Sequence, residues 1–210
     1  MRKKAAWKRF WSNLAVFFVL QASILCLKLR LASLAPELEP PLDYRPNGYT
    51  ADEALAVMKG YGTEARMTAV MLEVTDFLYS GAYAVLFASL LSVSLSVIDA
   101  PQVMHLLNLV PVATAIADAA ENFLMLALLS SPRKDVAGWV VIASAVKWQL
   151  LLATASVVGG TGAFCVYKAL KQAGKGTKHS KARNGAGAAV VEGEGPAGGA
   201  ARGRKPARRA

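Results

Sequence analysis

The sequence has very few of the residues that stabilise small secreted domains or bind metals. It contains two cysteines, Cys26 and Cys165, and two histidines, His105 and His179, in 210 residues. This scarcity excludes a disulfide-stapled domain, and we predict no metal site and no bound cofactor. Both cysteines are expected to be small buried apolar residues. Charged residues are also scarce, at 18% against 54% hydrophobic residues, which excludes a chain that is disordered throughout.

The charged residues that are present collect at the two ends of the chain. Residues 1–10 carry five lysines and arginines, and the segment from Lys168 onward carries eleven against two glutamates. The net charge is +10, which does not suit one soluble domain of such apolar composition. The segregation instead predicts a membrane protein whose apolar middle lies in lipid and whose basic ends lie outside it.

Four long apolar stretches lie between the basic ends. Each is longer than the ~20 residues that a helix needs to cross the ~30 Å hydrocarbon layer, and open strands cannot cross because their unpaired backbone groups find no water there. We therefore predict an all-α polytopic membrane protein with a four-transmembrane-helix bundle. Pro111 should weaken the backbone hydrogen bonding of the third helix, and we favour ordinary membrane packing there over a kink. The predicted segments are a basic N-terminus (1–10), helices at 11–34, 67–98, 103–130 and 137–168, an outer loop (35–66) and a disordered basic tail (169–210).

The distribution of basic residues predicts the orientation in the membrane. The loop 35–66 carries six acids against three basic residues, whereas both ends are strongly basic. By the positive-inside rule, both termini are expected in the cytosol and the loop on the outer or lumenal side. The first stretch also has the layout of a cleaved signal peptide, and this alternative stays open. Pro36 after the cut, with Lys28 and Arg30 before it, favours an uncleaved anchor.

The outer loop contains a short helix with a recognisable start. Thr50 and Glu53 match a capping box, in which the Thr50 hydroxyl accepts from the Glu53 amide and the Glu53 carboxylate accepts from the Thr50 amide. A short helix is expected to follow and to end at a glycine. Ala54, Leu55 and Met58 would share its apolar face. We interpret this helix either as lying on the membrane surface or as a lid over the outer end of the bundle.

Ionisable side chains inside the predicted spans give the strongest functional signal. Each costs about 2.5–3.5 kcal/mol at the centre of a spanning helix, so such groups usually face the bundle interior and find partners there. Asp76, Glu121 and Lys147 lie eight or nine residues from the outer ends of their apolar stretches, at Met67, Leu129 and Trp139, which corresponds to about 12–14 Å. Three helices are therefore expected to offer polar groups in one buried layer. Lys28 and Arg30 are expected to reach in from the first helix.

This layer is the candidate ligand-binding site. Its acids are expected to bind a proton, a cation, or an amine-bearing or hydroxylated ligand in a small cavity that opens outward. Two alternatives stay open. The layer is an ion-pair cluster that only fixes helix packing in a structural subunit of a membrane complex, or a lipid- or sterol-modifying enzyme uses paired carboxylates as acid and base. The candidate residues are Asp76, Asp118, Glu121, Asn122, Lys147, Glu73, Tyr83 and Gln149.

The basic tail is expected to contact a membrane surface and no nucleic acid. Anionic lipid head groups attract such a segment, and each basic residue near the surface contributes about 1 kcal/mol. The expected partners are the bilayer, these head groups and another membrane protein, for which small residues in the fourth helix leave room. The predicted membrane-surface residues are Lys171, Lys175, Lys178, Arg204 and Arg208.

A sparse pattern, GY…EA…G…R…D…Y…D..EN, runs through residues 47–125. It is carried by Gly48, Tyr49, Glu53, Ala54, Gly62, Ala65, Arg66, Asp76, Tyr83, Asp118, Glu121 and Asn122. In this pattern the chain resembles small uncharacterised four-helix integral membrane proteins. The resemblance implies a four-helix membrane fold and directs attention to the acids, and it implies no reaction. A looser likeness extends to four-helix sterol-isomerase and sigma-2-type proteins, which also place acids inside the bundle.

Overall fold

A computed structural model shows an all-α chain with four helices long and apolar enough to cross a membrane. It describes the backbone of residues 2–38, 42, 45 and 48–189, with side chains between residues 10 and 171 of these. The predicted fold class, a polytopic four-helix membrane bundle, is confirmed. The membrane-spanning candidates are Phe10–Leu34, Thr63–Val97, Gln102–Ser130 and Lys134–Lys171.

Five α-helices follow one another along the described chain. The helices up to Val166 form one compact unit, and the described chain from Tyr167 onward belongs to a second. Two 3₁₀ segments, Pro36–Leu38 and Gln102–Asn108, follow α1 and precede α4. The α-helices are α1 (Arg2–Leu34), α2 (Ala51–Gly60), α3 (Thr63–Val97), α4 (Leu109–Ser130) and α5 (Lys134–Ala189).

The bundle has an apolar exterior, and its interior contains polar and charged side chains beside an apolar core. Glu121 and Asn122 on α4 are fully buried, whereas the next residue, Phe123, is 70% exposed. Val93 on α3 and Trp139 on α5 are 63% and 62% exposed. In hydrocarbon these apolar side chains face lipid, while the polar groups find partners inside the bundle. The burial pattern therefore supports the membrane assignment independently of helix length and hydropathy.

Helix α2 begins where the capping box predicts. The Thr50 amide and hydroxyl donate to Glu53 Oε2 at 2.6 and 2.9 Å, and the Glu53 amide donates to Thr50 Oγ1 at 3.2 Å. The predicted capping box is confirmed. The hydrogen bond from the Thr50 backbone, with that from its hydroxyl second, lowers the pKa of Glu53 below its ordinary value, because both bonds favour the ionised carboxylate.

The buried face of α2 packs against the bundle. Ala54, Val57 and Met58 are buried in the same apolar cluster as Leu128 of α4. Leu55, which was expected on this face, is only partly buried. The packing agrees with the interpretation of α2 as a lid over one end of the bundle, since the helix buries its apolar side against protein.

Arg66 joins three helices at this end of the bundle. Its guanidinium donates to the backbone oxygen of Leu129, at the end of α4, and to that of Met58 in α2 at 2.8 Å. The last carbonyls of a helix have no partner within the helix and carry partial negative charge, so a guanidinium satisfies them well. Lys134 at the start of α5 also pairs with Asp52 of α2 at 2.8 Å. These contacts show that α2, the start of α3, the end of α4 and the start of α5 lie at one end.

The third spanning segment begins differently from the continuous helix predicted over 103–130. Gln102–Asn108 is a 3₁₀ helix, and α-helical geometry begins only at Leu109. Pro111 is the third residue of α4, where a backbone N–H would have no acceptor within the helix. The effect expected from Pro111 thus coincides with the change from 3₁₀ to α-helical geometry just before it.

Two further helix boundaries also correct the prediction. Helix α3 begins at Thr63, four residues before the predicted start at 67, because Gly62 serves as its N-cap. Helix α5 continues to Ala189, past the predicted end at 168 and into the segment that was expected to be disordered. Residues 169–189 contain six alanines and four lysines, which have high helix propensity and favour the extension, against four glycines, which disfavour it. The rest of the predicted tail, 190–210, lies outside the described residues.

Candidate functional site

Lys147 of α5 is the centre of a buried ion cluster. Its Nζ lies 2.5 Å from Glu121 Oε2, 2.8 Å from Asp118 Oδ1 and 3.9 Å from Asp76 Oδ2. All four residues are less than 9% exposed. The predicted convergence of α3, α4 and α5 on one polar layer is therefore observed, and a single ammonium group faces three carboxyl groups within it.

Helical periodicity explains how each helix turns its polar groups toward Lys147. Asp118 and Glu121 are three residues apart on α4, so both side chains project from the same face. Asp76 and Tyr83 are seven residues apart on α3 and also share a face. The Tyr83 hydroxyl donates to Asp118 Oδ2 at 3.1 Å. Asp118 thus accepts from a tyrosine and pairs with a lysine, one partner for each carboxylate oxygen.

Polar contacts continue inward from this layer in residues that the sequence reasoning missed. Thr114 Oγ1 of α4 and Thr154 Oγ1 of α5 lie 2.7 Å apart, and the Thr114 hydroxyl lies 3.1 Å from the Leu150 carbonyl oxygen. Both threonines are almost completely buried. Thr114 lies four residues from Asp118 on the same helix face, and this spacing could have identified it. These contacts fix α4 against α5 immediately below the ion cluster.

Two buried polar side chains lie beside the cluster, Asn122 directly after Glu121 and Ser144 one turn before Lys147. Asn122 is fully buried, and neither side-chain polar atom has a hydrogen-bond partner among the described residues; the same holds for Ser144 Oγ. The short connection from α4 to α5 makes the helices antiparallel, and the Asp118–Lys147 pair sets their register. This register brings Asn122 to the level of Ser144. Buried polar groups of this kind usually bind ordered water or a ligand.

A cavity of about 160 Å³ lies against the ion cluster. Its lining extends from the layer to Leu151, away from the end of the bundle that α2 covers, and the outward opening of the cavity stays a prediction. Sequence reasoning missed Gln21 and Trp148 as lining residues. Gln21 and Lys28 are seven residues apart on α1, and this spacing is a signal that could have identified Gln21. The polar lining consists of Gln21, Lys28, Asp76, Tyr79, Tyr83, Asp118, Lys147 and Trp148.

Several predicted site residues lie elsewhere. Gln149 is exposed, because two residues along a helix turn a side chain about 200° away from Lys147. Arg30 is also exposed, and it does not line the cavity. Glu73 is 4% exposed and lies one turn outward of Asp76. It borders a separate cavity of about 10 Å³, which is about the space of one water molecule.

The membrane-surface residues predicted in the basic tail are described only in part. Lys171 is exposed, and its Nζ lies 5.8 Å from the centre of the Tyr167 ring. Lys175 and Lys178 lie on the described backbone of α5, and Arg204 and Arg208 lie outside the described residues. Their contact with lipid head groups stays a prediction.

The described residues contain no group of three or more histidine, cysteine, aspartate or glutamate side chains arranged to hold a metal ion. Within the described chain, the fold and the site define a polytopic helical membrane protein with a lysine-centred carboxyl cluster beside a small cavity. Comparisons with protein-family models, curated proteins and solved structures find no match.

Proposed function

We propose that this membrane protein binds a small organic ammonium ion in the cavity beside Lys147. The observation that carries the proposal is the position of Asp76, a buried carboxyl group that lines the cavity and lies 3.9 Å from Lys147 Nζ. An ammonium group entering the cavity would pair with this carboxylate in a medium of low dielectric constant, where such pairs are strong.

The other two carboxyl groups of the cluster lie closer to Lys147 Nζ. Asp118 pairs with Lys147 at 2.8 Å and accepts from Tyr83 at 3.1 Å. Glu121 pairs with Lys147 at 2.5 Å and is not among the residues that line the cavity. Asp76 lines the cavity and has the longest separation from Lys147 of the three, so we expect the ammonium group of a ligand to pair with this carboxyl group.

The remaining cavity walls suit an organic cation of small size. Tyr79, Tyr83 and Trp148 line the cavity with aromatic rings, and aromatic faces attract cations by about 0.5–2 kcal/mol each. The volume of about 160 Å³ is below the ~300–1,000 Å³ typical of sites for drug-sized molecules. The site therefore favours an amine with one small apolar group.

Benzylamine is expected to raise the thermal unfolding temperature of the detergent-solubilised protein at neutral pH. Saturation to about 100 times the dissociation constant stabilises a folded protein by about 2.7 kcal/mol. Benzyl alcohol and benzoate, which have the same ring with a neutral and an anionic group, are expected to stabilise it much less.

A pair of matched variants locates the binding site. Asp76→Asn should abolish most of the stabilisation by benzylamine, whereas Glu64→Gln, which removes the same charge from an exposed position, should retain it. Equal stabilisation by all three compounds, or full stabilisation of Asp76→Asn, would contradict the proposal.

The ion pairs at 2.5 and 2.8 Å also support a second role, in which the cluster only holds the helices together. Interhelical polar contacts of this kind are common in membrane bundles. The two roles differ in their response to Asp76→Asn. A purely structural cluster would lose stability without any change in the response to benzylamine.

We also propose that both chain termini face the cytosol and that the end of the bundle covered by α2 faces outward or into a lumen. The basic ends and the acidic loop 35–66 support this orientation. An Asn-X-Thr glycosylation acceptor inserted between residues 38 and 48 is expected to be glycosylated in a eukaryotic expression host. The same acceptor inserted after residue 189 is expected to stay unmodified, and modification of the second site alone would reverse the orientation.

A further inference from the structure

The cavity beside Lys147 reaches the surface of the bundle at Gln21 of α1. Gln21 lines the cavity and is exposed, whereas the other residues that line it are buried or half-buried. A side chain that borders both the cavity and the exterior marks the place where the two join. We call this surface at Gln21 the mouth of the cavity.

The mouth lies at the depth of the hydrocarbon layer. Gln21 is 11 residues from Phe10 and 13 from Leu34, the two ends of its span, which places it about 16–20 Å from either end. Half of the hydrocarbon layer is about 15 Å thick, so Gln21 lies near its middle. Phe18 and Leu25, one turn away on either side, are 60% and 53% exposed. The mouth is therefore surrounded by apolar, lipid-facing side chains.

The amide group of Gln21 suits a passage between lipid and cavity. Among the described residues, the Gln21 side chain has no hydrogen-bond partner, and a polar side chain in hydrocarbon costs free energy when it lacks one. Its carbonyl oxygen accepts hydrogen bonds and its amide nitrogen donates them. An ammonium group that enters from the bilayer would therefore meet a polar partner at the mouth before it reaches a carboxyl group.

We infer that the ligand is a long-chain primary amine taken from the bilayer, whose ammonium group pairs with Asp76 while its chain passes through the mouth into lipid. This inference rests on the proposed function. The cavity of about 160 Å³ limits only the part of the ligand inside it, the ammonium group and the first carbon atoms. The rest of the chain stays in hydrocarbon throughout binding. This lateral route is separate from the outward opening that the sequence predicts.

Packed aromatic rings at the contact between α1 and α3 restrict the path of the chain. Phe17, one turn from Gln21 on α1, has its ring centre 5.1 Å from that of Tyr79 and 6.3 Å from that of Phe87 on α3. The ring centres of Tyr79 and Tyr83 are 5.5 Å apart. Interiors packed in this way leave no gap for a further chain. We therefore place the exit of the chain at Gln21.

Dodecylamine is expected to raise the thermal unfolding temperature of the protein in lipid nanodiscs at least as much as benzylamine does. Both amines are compared at the same mole fraction in the bilayer, because the longer chain also partitions more strongly into lipid. Dodecanol, which has the same chain and no charge, is expected to have a much smaller effect. Stabilisation by benzylamine but not by dodecylamine would overturn the inference and leave the proposed function intact. No stabilisation by either amine would overturn both.

Two tryptophan variants of α1 test the position of the mouth. Gln21→Trp should weaken dodecylamine binding about tenfold or more, because the larger ring competes with the chain for space. Benzylamine, which has no chain to pass through the mouth, should be affected less. Leu25→Trp adds the same ring one turn away, at an exposed position outside the cavity lining, and should bind both amines as the wild-type protein does. Equal binding of dodecylamine by the two variants would overturn an exit at Gln21.

Discussion

Replacing Lys147 by methionine is expected to destabilise the protein by about 3–5 kcal/mol at neutral pH, the usual cost of removing one partner from a buried ion pair. Methionine fills most of the space of the lysine side chain, so the effect arises from charge. Asp118 and Glu121 lie 2.8 and 2.5 Å from the ammonium group and would remain buried beside Asp76 without it. Thermal unfolding in detergent measures the loss.

A double variant tests the cause of this loss. Adding Asp118→Asn to Lys147→Met removes one of the stranded carboxylates and should restore part of the stability. Lys59→Met, on the exposed side of α2, is the matched control and should have little effect. Unchanged stability of Lys147→Met at neutral pH would show that the lysine does not organise the cluster.

The common depth of the cluster could be predicted from the sequence because it depends on counting. Asp76, Glu121 and Lys147 lie at similar distances from the ends of their spans, and each residue of a helix adds a fixed rise. The capping box at Thr50 and Glu53 could be predicted because it is local, with both partners three residues apart. Such features need no knowledge of how the helices pack.

The facing direction of each side chain was harder to predict. Gln149 was expected beside Lys147 because the two are close in sequence, but the helical turn sends it to the exposed side. The contribution of α1 to the cavity was also hard to predict. Gln21 can be recognised as a lining residue only once Lys28 is known to face α3 and α5. Packing decides which face of an apolar helix turns inward, and hydropathy alone does not report it.

The contacts of Arg66 left no signal in the sequence, because its partners are backbone carbonyl groups that every residue has. The sparse sequence pattern over residues 47–125 includes this arginine but does not say what it binds. Its position between α2 and α4 therefore emerges only from the structure. Because Arg66 makes these contacts, we expect its replacement, like that of Lys147, to have a large effect on stability.

Arg66→Met is expected to destabilise the end of the bundle that α2 covers. The variant loses two hydrogen bonds from a charged donor, to Leu129 O and to Met58 O, and such bonds contribute about 1.5–3 kcal/mol each. The freed carbonyl groups lie at helix ends, where no other N–H replaces the guanidinium. Hydrogen exchange of α2 and of the last turn of α4 is expected to accelerate before the rest of the bundle changes.

Arg133→Met as a control and Arg66→Lys as a conservative replacement test the cause of this destabilisation. Arg133→Met removes an arginine that pairs only with exposed Asp135 among the described residues and should leave unfolding unchanged, since exposed pairs contribute little. Arg66→Lys keeps the charge but lacks the planar fork that reaches two carbonyl groups at once, so it should recover only part of the stability. If Arg66→Met unfolded at the wild-type temperature with unchanged exchange in α2, α2 would be held by its apolar face alone. The opening of α2 would then be independent of α4. Access to the carboxyl cluster from the end that α2 covers would not depend on Arg66.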